Sequence, residues 1–291
     1  MSVNKNFIYE LSLSALIDSV GDVEILRRLL INQGIQSNKI IELNHRGRNF
    51  LLVYFSLLRN AQRIQRKLHK LKLKNVRIIL KTVEPKQWED RWKEDFKPFS
   101  LTKEIEIVPI WFKNHYSPKK KEQVYIDTKF AFGTGLHETT RFMAQLIENY
   151  RGQFNRFFDI GTGTGILAMI AHKCGARDIQ AIDIDPDAVK VAQKNFKENQ
   201  CTVTGIKTAD INKLKTSKQY DFVAANLVTH DLIKMNKKIV SLVRPGKYLA
   251  ISGIALENLG HIKKAFNTRF LRCRKIKKGR KWAAVLYQKT N

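Results

Sequence analysis

From Val124 onward, short apolar runs alternate with segments whose apolar positions recur at helical spacing. The runs predict strands near 156–160, 178–183, 202–206, 220–225 and 247–252. Between them the spacing predicts helices near 164–174, 186–199, 229–242 and 256–267, after a first helix opened by His137-Glu138-Thr139-Thr140 and running to about Tyr150. Such alternation implies right-handed crossovers and a mainly parallel sheet covered on both faces. The tail, Phe270 to Gln288 with Lys278-Gly279-Arg280 between two runs, reads as a terminal antiparallel hairpin.

The N-terminal part has a different rhythm. Phe7 to Leu13 is strand-like, and Val20 to Gln33 places Val23, Leu26, Leu29 and Leu30 at helical spacing before Gly34. Lys39 to Asn44 and Phe50 to Phe55 form a predicted hairpin around Asn44-His45-Arg46-Gly47. Leu57 to Leu73 is a basic amphipathic helix, and Val76 to Leu80 is a closing strand. The order βαββαβ is that of a small α+β ferredoxin-like domain over 1–84, a fold that hosts many unrelated roles. Residues 85–123 read as a linker helix and connector, with Trp88, Trp92 and Phe96 on one helical face and Pro98 as the stop. The larger module occupies 124–291.

Composition narrows the class. With 43% hydrophobic and 27% charged residues the 291-residue chain is globular. No apolar run approaches membrane-span length and no signal-peptide core follows Met1, so a soluble cytoplasmic protein without membrane contact is expected, and separately a monomer. Cys174, Cys201 and Cys273 are far apart and odd in number, which indicates neither a disulfide framework nor a zinc site. The net charge of +27 favours polyanions, and ribosomal RNA contact through a basic surface is one reading of it; a composition bias scattered over the chain is the other. Basic residues concentrate in Arg59 to Lys81 and in Lys263 to Lys289, and no acidic residue follows Glu257. A basic hairpin at a sheet edge also discourages edge pairing, so its charge need not mean RNA.

Phe157-Phe158-Asp159-Ile160-Gly161-Thr162-Gly163-Thr164-Gly165 joins a strand to a helix through alternate glycines, which lets a nucleotide-like ligand approach the backbone at a helix start. Asp183 follows Gly161 by 22 positions, at the end of the next strand, where a carboxylate can bind ribose hydroxyls. Both features fit NAD and S-adenosylmethionine. The turn is Gly-x-Gly-x-Gly, however, and Asp159 precedes it. A carboxylate there suits an ammonium and a sulfonium, and would repel a pyrophosphate. S-adenosylmethionine is therefore the expected cofactor, cradled by Asp159, Gly161, Gly163 and Gly165. Asp221 to Asn226 forms a further strand that ends in a polar residue where the substrate crevice of an open α/β sheet lies.

Four stretches make the chain resemble the PrmA family of S-adenosylmethionine-dependent ribosomal protein methyltransferases. They are Trp88 to Pro98, the Ala131-Phe132-Gly133-Thr134-Gly135-x-His137-x-Thr139-Thr140 segment, Asp159 to Leu167 with Ile182 to Pro186, and Ala225-Asn226-Leu227 with Leu249 to Ile254. The resemblance implies a Rossmann-like class I methyltransferase domain with a mainly parallel seven-stranded sheet, preceded by a substrate-recognition domain. It also implies methylation of lysine or N-terminal amines of the large-subunit stalk-base protein. Carried over by position, Thr140, Gly161, Asp183 and Asn226 contact the cofactor. Leu136 and Glu138 depart from the family's small residue and proline, and Val228-Thr229-His230 replaces its small residues.

For the chemistry, direct displacement is expected, with the amine attacking the sulfonium methyl. Deprotonating a lysine costs about 4 to 5 kcal/mol at pH 7 and an α-amine about 1 kcal/mol, so an N-terminal amine is the easier target. The Asn226 carboxamide oxygen and nearby backbone carbonyls are candidates to align the nitrogen lone pair. His137 is a candidate proton acceptor or a helix cap, and His230 reads as a solvated helix-start residue. Asp210 is expected to hold the adenine amino group or merely to begin a loop. The alternatives in function are an RNA methyltransferase and a non-catalytic RNA- or protein-binding module that retains the fold.

Overall fold

The computed structural model describes residues 8–15, 20–35, 40–45, 48–55, 57–73, 75–83, 96–127 and 135–290. They fall into two compact units, Met1–Phe96 and Lys97–Asn291, each taken by itself below.

The first unit runs β1 (Ile8–Ala15), α1 (Val20–Asn32), β2 (Ile41–His45), β3 (Arg48–Phe55), α2 (Leu58–Lys70) and β4 (Val76–Val83). Its antiparallel sheet has the order β2-β3-β1-β4, the ferredoxin-like arrangement expected from the alternation. Period-two burial on β1 sends Leu11 and Leu13 inward, where Leu26 and Leu30 of α1 and Ile64 and Leu68 of α2 meet them. The outer face of α2 is basic, with Arg59, Arg63, Arg66, Lys67 and Lys70 exposed. Trp88, Trp92 and the turn residues Arg46 and Gly47 lie outside the described residues.

The second unit begins with β5 (Phe99–Ser100), β6 (Ile105–Pro109) and β7 (Glu122–Ile126), which form a three-stranded sheet in that order, with β6 and β7 parallel. Part of the stretch read as a connector is therefore built into a sheet. Buried Glu106 fastens the intervening loop by accepting from Tyr116 Oη at 2.8 Å and from the Lys119 amide at 2.9 Å.

There follow α3 (Glu138–Glu148), β8 (Arg156–Ile160), α4 (Ile166–Lys173), β9 (Asp178–Asp183), α5 (Pro186–Glu198), β10 (Gly205–Thr208), β11 (Tyr220–Asn226), α6 (Thr229–Ser241), β12 (Val243–Ala255), α7 (Leu259–Ala265), β13 (Leu271–Lys278) and β14 (Trp282–Lys289). The seven-stranded sheet has the order β10-β9-β8-β11-β12-β14-β13. Its first five strands are parallel, and β14 is antiparallel to both of its neighbours. The central strands β8 and β11 are buried over nearly their whole length, as strands covered on both faces must be. Among the described residues no helix is long and apolar enough to cross a membrane.

Two boundaries differ from the sequence reading. The strand expected near 202–206 begins at Gly205. Gln200 takes a left-handed φ of 50° and the Cys201 amide still bonds back to Phe196 at 2.9 Å, so the chain is closing α5 where apolar residues suggested a strand. The helix expected near 256–267 is a 3-10 turn over Leu256–Asn258 followed by the short α7.

Candidate active site

From β8 the chain proceeds outward through β9 and β10, whereas β11 and β12 lie on the other side of β8. The order reverses between β8 and β11, which is where the crevice of an open α/β sheet opens beyond the strand C-termini. Ala225 of β11 pairs in register with Ile160 of β8, so the next residues, Asn226 and Gly161, are neighbours at that edge. Asp183 ends β9 on the far side of β8.

The glycine turn is organised from within. Gly161 and Thr162 amides donate to the Ile182 carbonyl at 2.9 and 3.0 Å, and the Gly165 amide donates to Thr162 O at 2.8 Å. The Gly163 amide donates to Asp183 Oδ2 at 2.9 Å, while Asp183 Oδ1 accepts from the Asp185 amide at 3.0 Å. These N–H groups are spent inside the protein, so the turn is not the open nest of donors that a pyrophosphate requires. All three glycines have positive φ, at 73°, 55° and 83°. A Cβ on Gly161 would lie 2.5 Å from Leu227 Cδ2, and one on Gly165 would lie 2.5 Å from Phe196 Cε1. At both positions the missing side chain admits the protein's own packing.

Asp159 is fully buried. Its Oδ2 accepts from Thr162 Oγ1 at 2.8 Å, and its Oδ1 has no hydrogen-bond partner among the described residues. Burial pushes its carboxyl up to about 7, helped by the charge of Asp183 and opposed by the Thr162 bond and the nearby Ala168 amide, which lies beyond hydrogen-bond geometry. A second buried oxygen without a partner among the described residues is Oγ1 of Thr140, in the first turn of α3. Two of the residues named from sequence thus have unmet polar capacity, and a cationic, hydrogen-bonding ligand such as the amino-acid part of S-adenosylmethionine fits that chemistry.

Asn226 is half-buried, and its carboxamide makes no hydrogen bond to any described residue. The backbone behind it is tightly constrained, because the Leu227 amide donates to Ser252 O at 3.1 Å and Gly253 lies against Leu227 with φ 83°. A Cβ on Gly253 would come within 2.1 Å of the Leu227 carbonyl oxygen. Exposed Leu136, Ile184 and Val228 stand one or two residues beyond Gly135, Asp183 and Asn226 and give this edge apolar surface.

His137 is the N-cap of α3. Its Nδ1 accepts from the Thr139 amide at 3.3 Å and lies 2.7 Å from Thr139 Oγ1, and its ring meets Trp282 edge-on at 5.1 Å. Glu138 accepts from the Arg280 amide at 3.2 Å, so the β13–β14 turn docks on the start of α3. Asp210 caps the 3-10 turn Ile211–Lys213, its Oδ1 accepting from the amide and the side chain of Asn212. His230 lies in the first turn of α6 and is exposed, as read from sequence. The structure therefore brings together Asp159, the glycine turn, Asp183 and Asn226 at one sheet edge. Phe132, Gly133 and Thr134 lie outside the described residues.

Sequence reasoning overlooked Trp282 and Asn195, and noticed Gly253 only within a longer match. Asn195 had a legible signal, being a polar residue on the α5 face that also buries Ala188, Ala192 and Phe196. Trp282 had none, since its contact with His137 joins positions far apart in the chain.

Comparison with known proteins shows the family of the chain. The family model described as ribosomal protein L11 methyltransferase (PrmA) matches residues 26–290. A curated ribosomal protein L11 methyltransferase of Ruminiclostridium cellulolyticum is 39% identical over 178 residues, which are 60% of this chain and 56% of that protein. The counterpart in Geobacter metallireducens is 35% identical over 210 residues, covering 71% of this chain and 68% of the relative. Among solved structures, the ribosomal protein L11 methylase of Lactobacillus delbrueckii subsp. bulgaricus aligns with a TM-score of 0.61 at 25% identity, covering 67% of this chain and all of the other. The alignments to the curated relatives thus span little more than half to about two thirds of their length. With the family model matched over most of its residues, the chain belongs to the PrmA family.

Proposed function

We propose that the protein transfers methyl groups from S-adenosylmethionine to lysine or N-terminal amines of a ribosomal protein, the L11-type protein for which its relatives are named. The observation that carries this reading is the carboxamide of Asn226, unbonded among the described residues, beside a glycine turn whose amides are internally satisfied and an Asp159 that keeps an oxygen without a partner among them.

When bound, S-adenosylmethionine supplies an electrophilic methyl carbon on a sulfonium that departs as a neutral thioether. A neutral substrate amine would take that methyl as the thioether leaves, and its proton would pass to solvent. The Asn226 carboxamide oxygen accepts an N–H of the amine and aims its lone pair, which lowers the entropic part of the barrier. Asp159 and Thr140 hold the cofactor's ammonium and carboxylate end, Asp183 its ribose hydroxyls, and Asp210 its adenine amino group through the oxygen that its cap leaves over. The exposed apolar residues Leu136, Ile184 and Val228 exclude water from the crevice once it is filled. His137 holds the start of α3 and with it Thr140.

In this reading residues 1–84 recognise the substrate, 85–123 connect, and 124–291 carry out the transfer. The protein acts as a cytoplasmic monomer, and its basic surfaces contact ribosomal RNA. Support for the last point is the charge of +27, the exposed basic face of α2 and the exposed run Arg272 to Lys275 on edge strand β13. Incubation with labelled S-adenosylmethionine and separated ribosomal proteins or RNA tests the substrate. Label is expected in the L11-type protein, and label confined to RNA would overturn the assignment. Titration with RNA against salt tests the contact, since phosphate binding must weaken steeply as salt rises.

A further inference from the structure

Asn195 in α5 and Asn199 at its C-cap act as a side-chain extension of β7 and the residue that follows it. Asn199 Oδ1 accepts from the Tyr125 amide at 2.8 Å, and its Nδ2 donates to the Tyr125 carbonyl at 2.6 Å. One helical turn earlier, Asn195 Oδ1 accepts from the Asp127 amide at 2.8 Å, and its Nδ2 donates to the Asp127 carbonyl at 3.0 Å. Spacing of four on a helix and two on a strand places both amides opposite alternate backbone groups of one strand. Asn199 is involved only with β7 and its own helix, donating also to Asn195 O at 2.7 Å. Asn195 reaches further. Its Nδ2 donates a second time, at 2.9 Å, to the carbonyl of Thr164 inside the glycine turn.

That third bond joins the end of β7 to the glycine turn. Asp127 is the residue from which the chain continues towards His137 and Thr140, and Thr164 lies between the last two glycines of the turn. Gly135, further along, is held at the other end of this turn: a Cβ there would lie 3.2 Å from Ile166 Cδ1, at the first residue of α4, and 3.0 Å from Phe99 Cζ. Asn195 itself is completely buried, so the three bonds are shielded from water and each unmet partner would be costly.

We infer that Asn195 is a positioning residue for the cofactor site: by bridging Asp127 and Thr164 it sets the glycine turn relative to the end of β7. Asn199 fastens the same helix to the same strand without touching the turn. The inference rests on the cofactor reading given above.

Substitution of the two asparagines in the full chain separates positioning from plain stabilisation. Asn195→Asp keeps the acceptor for the Asp127 amide and removes both donations. Asn195→Ser is smaller and serves if the aspartate variant does not fold. Asn199→Ala is the comparator. Calorimetry with S-adenosylmethionine, thermal unfolding and amide exchange of the ligand-free chain are measured for each. Either Asn195 variant is expected to weaken cofactor binding at least roughly tenfold and to speed exchange in the glycine turn. Asn199→Ala is expected to lower the melting temperature comparably while leaving the Kd within about twofold. If a folded Asn195 variant binds within twofold of the parent, or Asn199→Ala weakens binding as much, the inference is overturned while the cofactor reading stands. A parent chain that binds no S-adenosylmethionine overturns both.

Discussion

The carboxylate of Asp183 accepts from the amide of Gly163 at 2.9 Å, so the acidic residue that ends β9 also shapes the turn that follows β8. A second bond from the Asp185 amide to Oδ1 fixes its rotamer. Bonds from backbone N–H groups to a carboxylate are charge-assisted and stronger than neutral ones. Asp183→Ala is therefore expected to weaken S-adenosylmethionine binding by two routes, losing the ribose contact and loosening the turn. Calorimetry should show a fall of roughly 100-fold or more for alanine and about tenfold for Asp183→Asn, which keeps one acceptor. Binding by Asp183→Ala as tight as the parent's would mean the cofactor lies elsewhere.

Asp159 makes the stability of the ligand-free protein pH-dependent. Its folded value is raised from 3.8 to about 7, so between those limits the folded chain holds a proton that the unfolded chain has released. Stability contributed by the protonated form is accordingly lost as pH rises from about 4 to 7, by at most about 1.4 kcal/mol per pH unit, and the loss is complete above pH 7. Asp159→Asn removes this slope. Denaturant unfolding at pH 5 and pH 8 should show the variant gaining on the parent at the higher pH. An ammonium group brought against Asp159 favours the carboxylate, so cofactor binding near pH 7 is expected to release a proton, measurable by calorimetry in buffers of different ionisation enthalpy.

Gly253 offers a test of how tightly the Asn226 position is held. Alanine there must accept a φ of 83° and displace the Leu227 carbonyl, whose oxygen would lie 2.1 Å from the new Cβ. Methyl transfer by Gly253→Ala should fall at least about tenfold in kcat, with a lowered melting temperature. Gly34→Ala is the control, since Gly34 has a φ of 90° but nothing within 4 Å of the added atom. It bears the backbone strain alone, and unchanged kcat is expected.

The two roles considered for His137 part company in His137→Asn. Asparagine is a good N-cap and has no group that titrates near neutrality. With the ring acting as a cap, the variant should keep kcat within about threefold of the parent and retain its melting temperature, while His137→Ala loses about 1 kcal/mol of stability. Loss of the acidic limb of the pH–rate profile in His137→Asn would instead identify the ring as the proton acceptor.

Much of this molecule could be read from residue order alone, because its strongest determinants are local. Period-two and helical spacing placed the βαββαβ unit and the alternating elements of the larger one, and each depends on a few consecutive residues meeting one face of their own element. The glycine turn, Asp159, Asp183 and Asn226 were legible for the same reason: a Gly-rich turn or a polar residue closing an apolar strand announces itself within a few positions. Tertiary structure decided what those residues are free to do. Only the fold shows that the turn's amides are already used by Ile182, Thr162 and Asp183, that Asp159 and Thr140 each keep an oxygen without a partner among the described residues, and that β14 lies between β12 and β13. The strand near 202–206 was misplaced because Cys201, Thr202 and Val203 have strand-like side chains, whereas the backbone there is still closing α5 against Phe196. Asn195 joins Asp127 to Thr164 across stretches of chain that no local pattern relates, and hydrogen bonds of that kind exist only once packing has brought their partners within 3 Å.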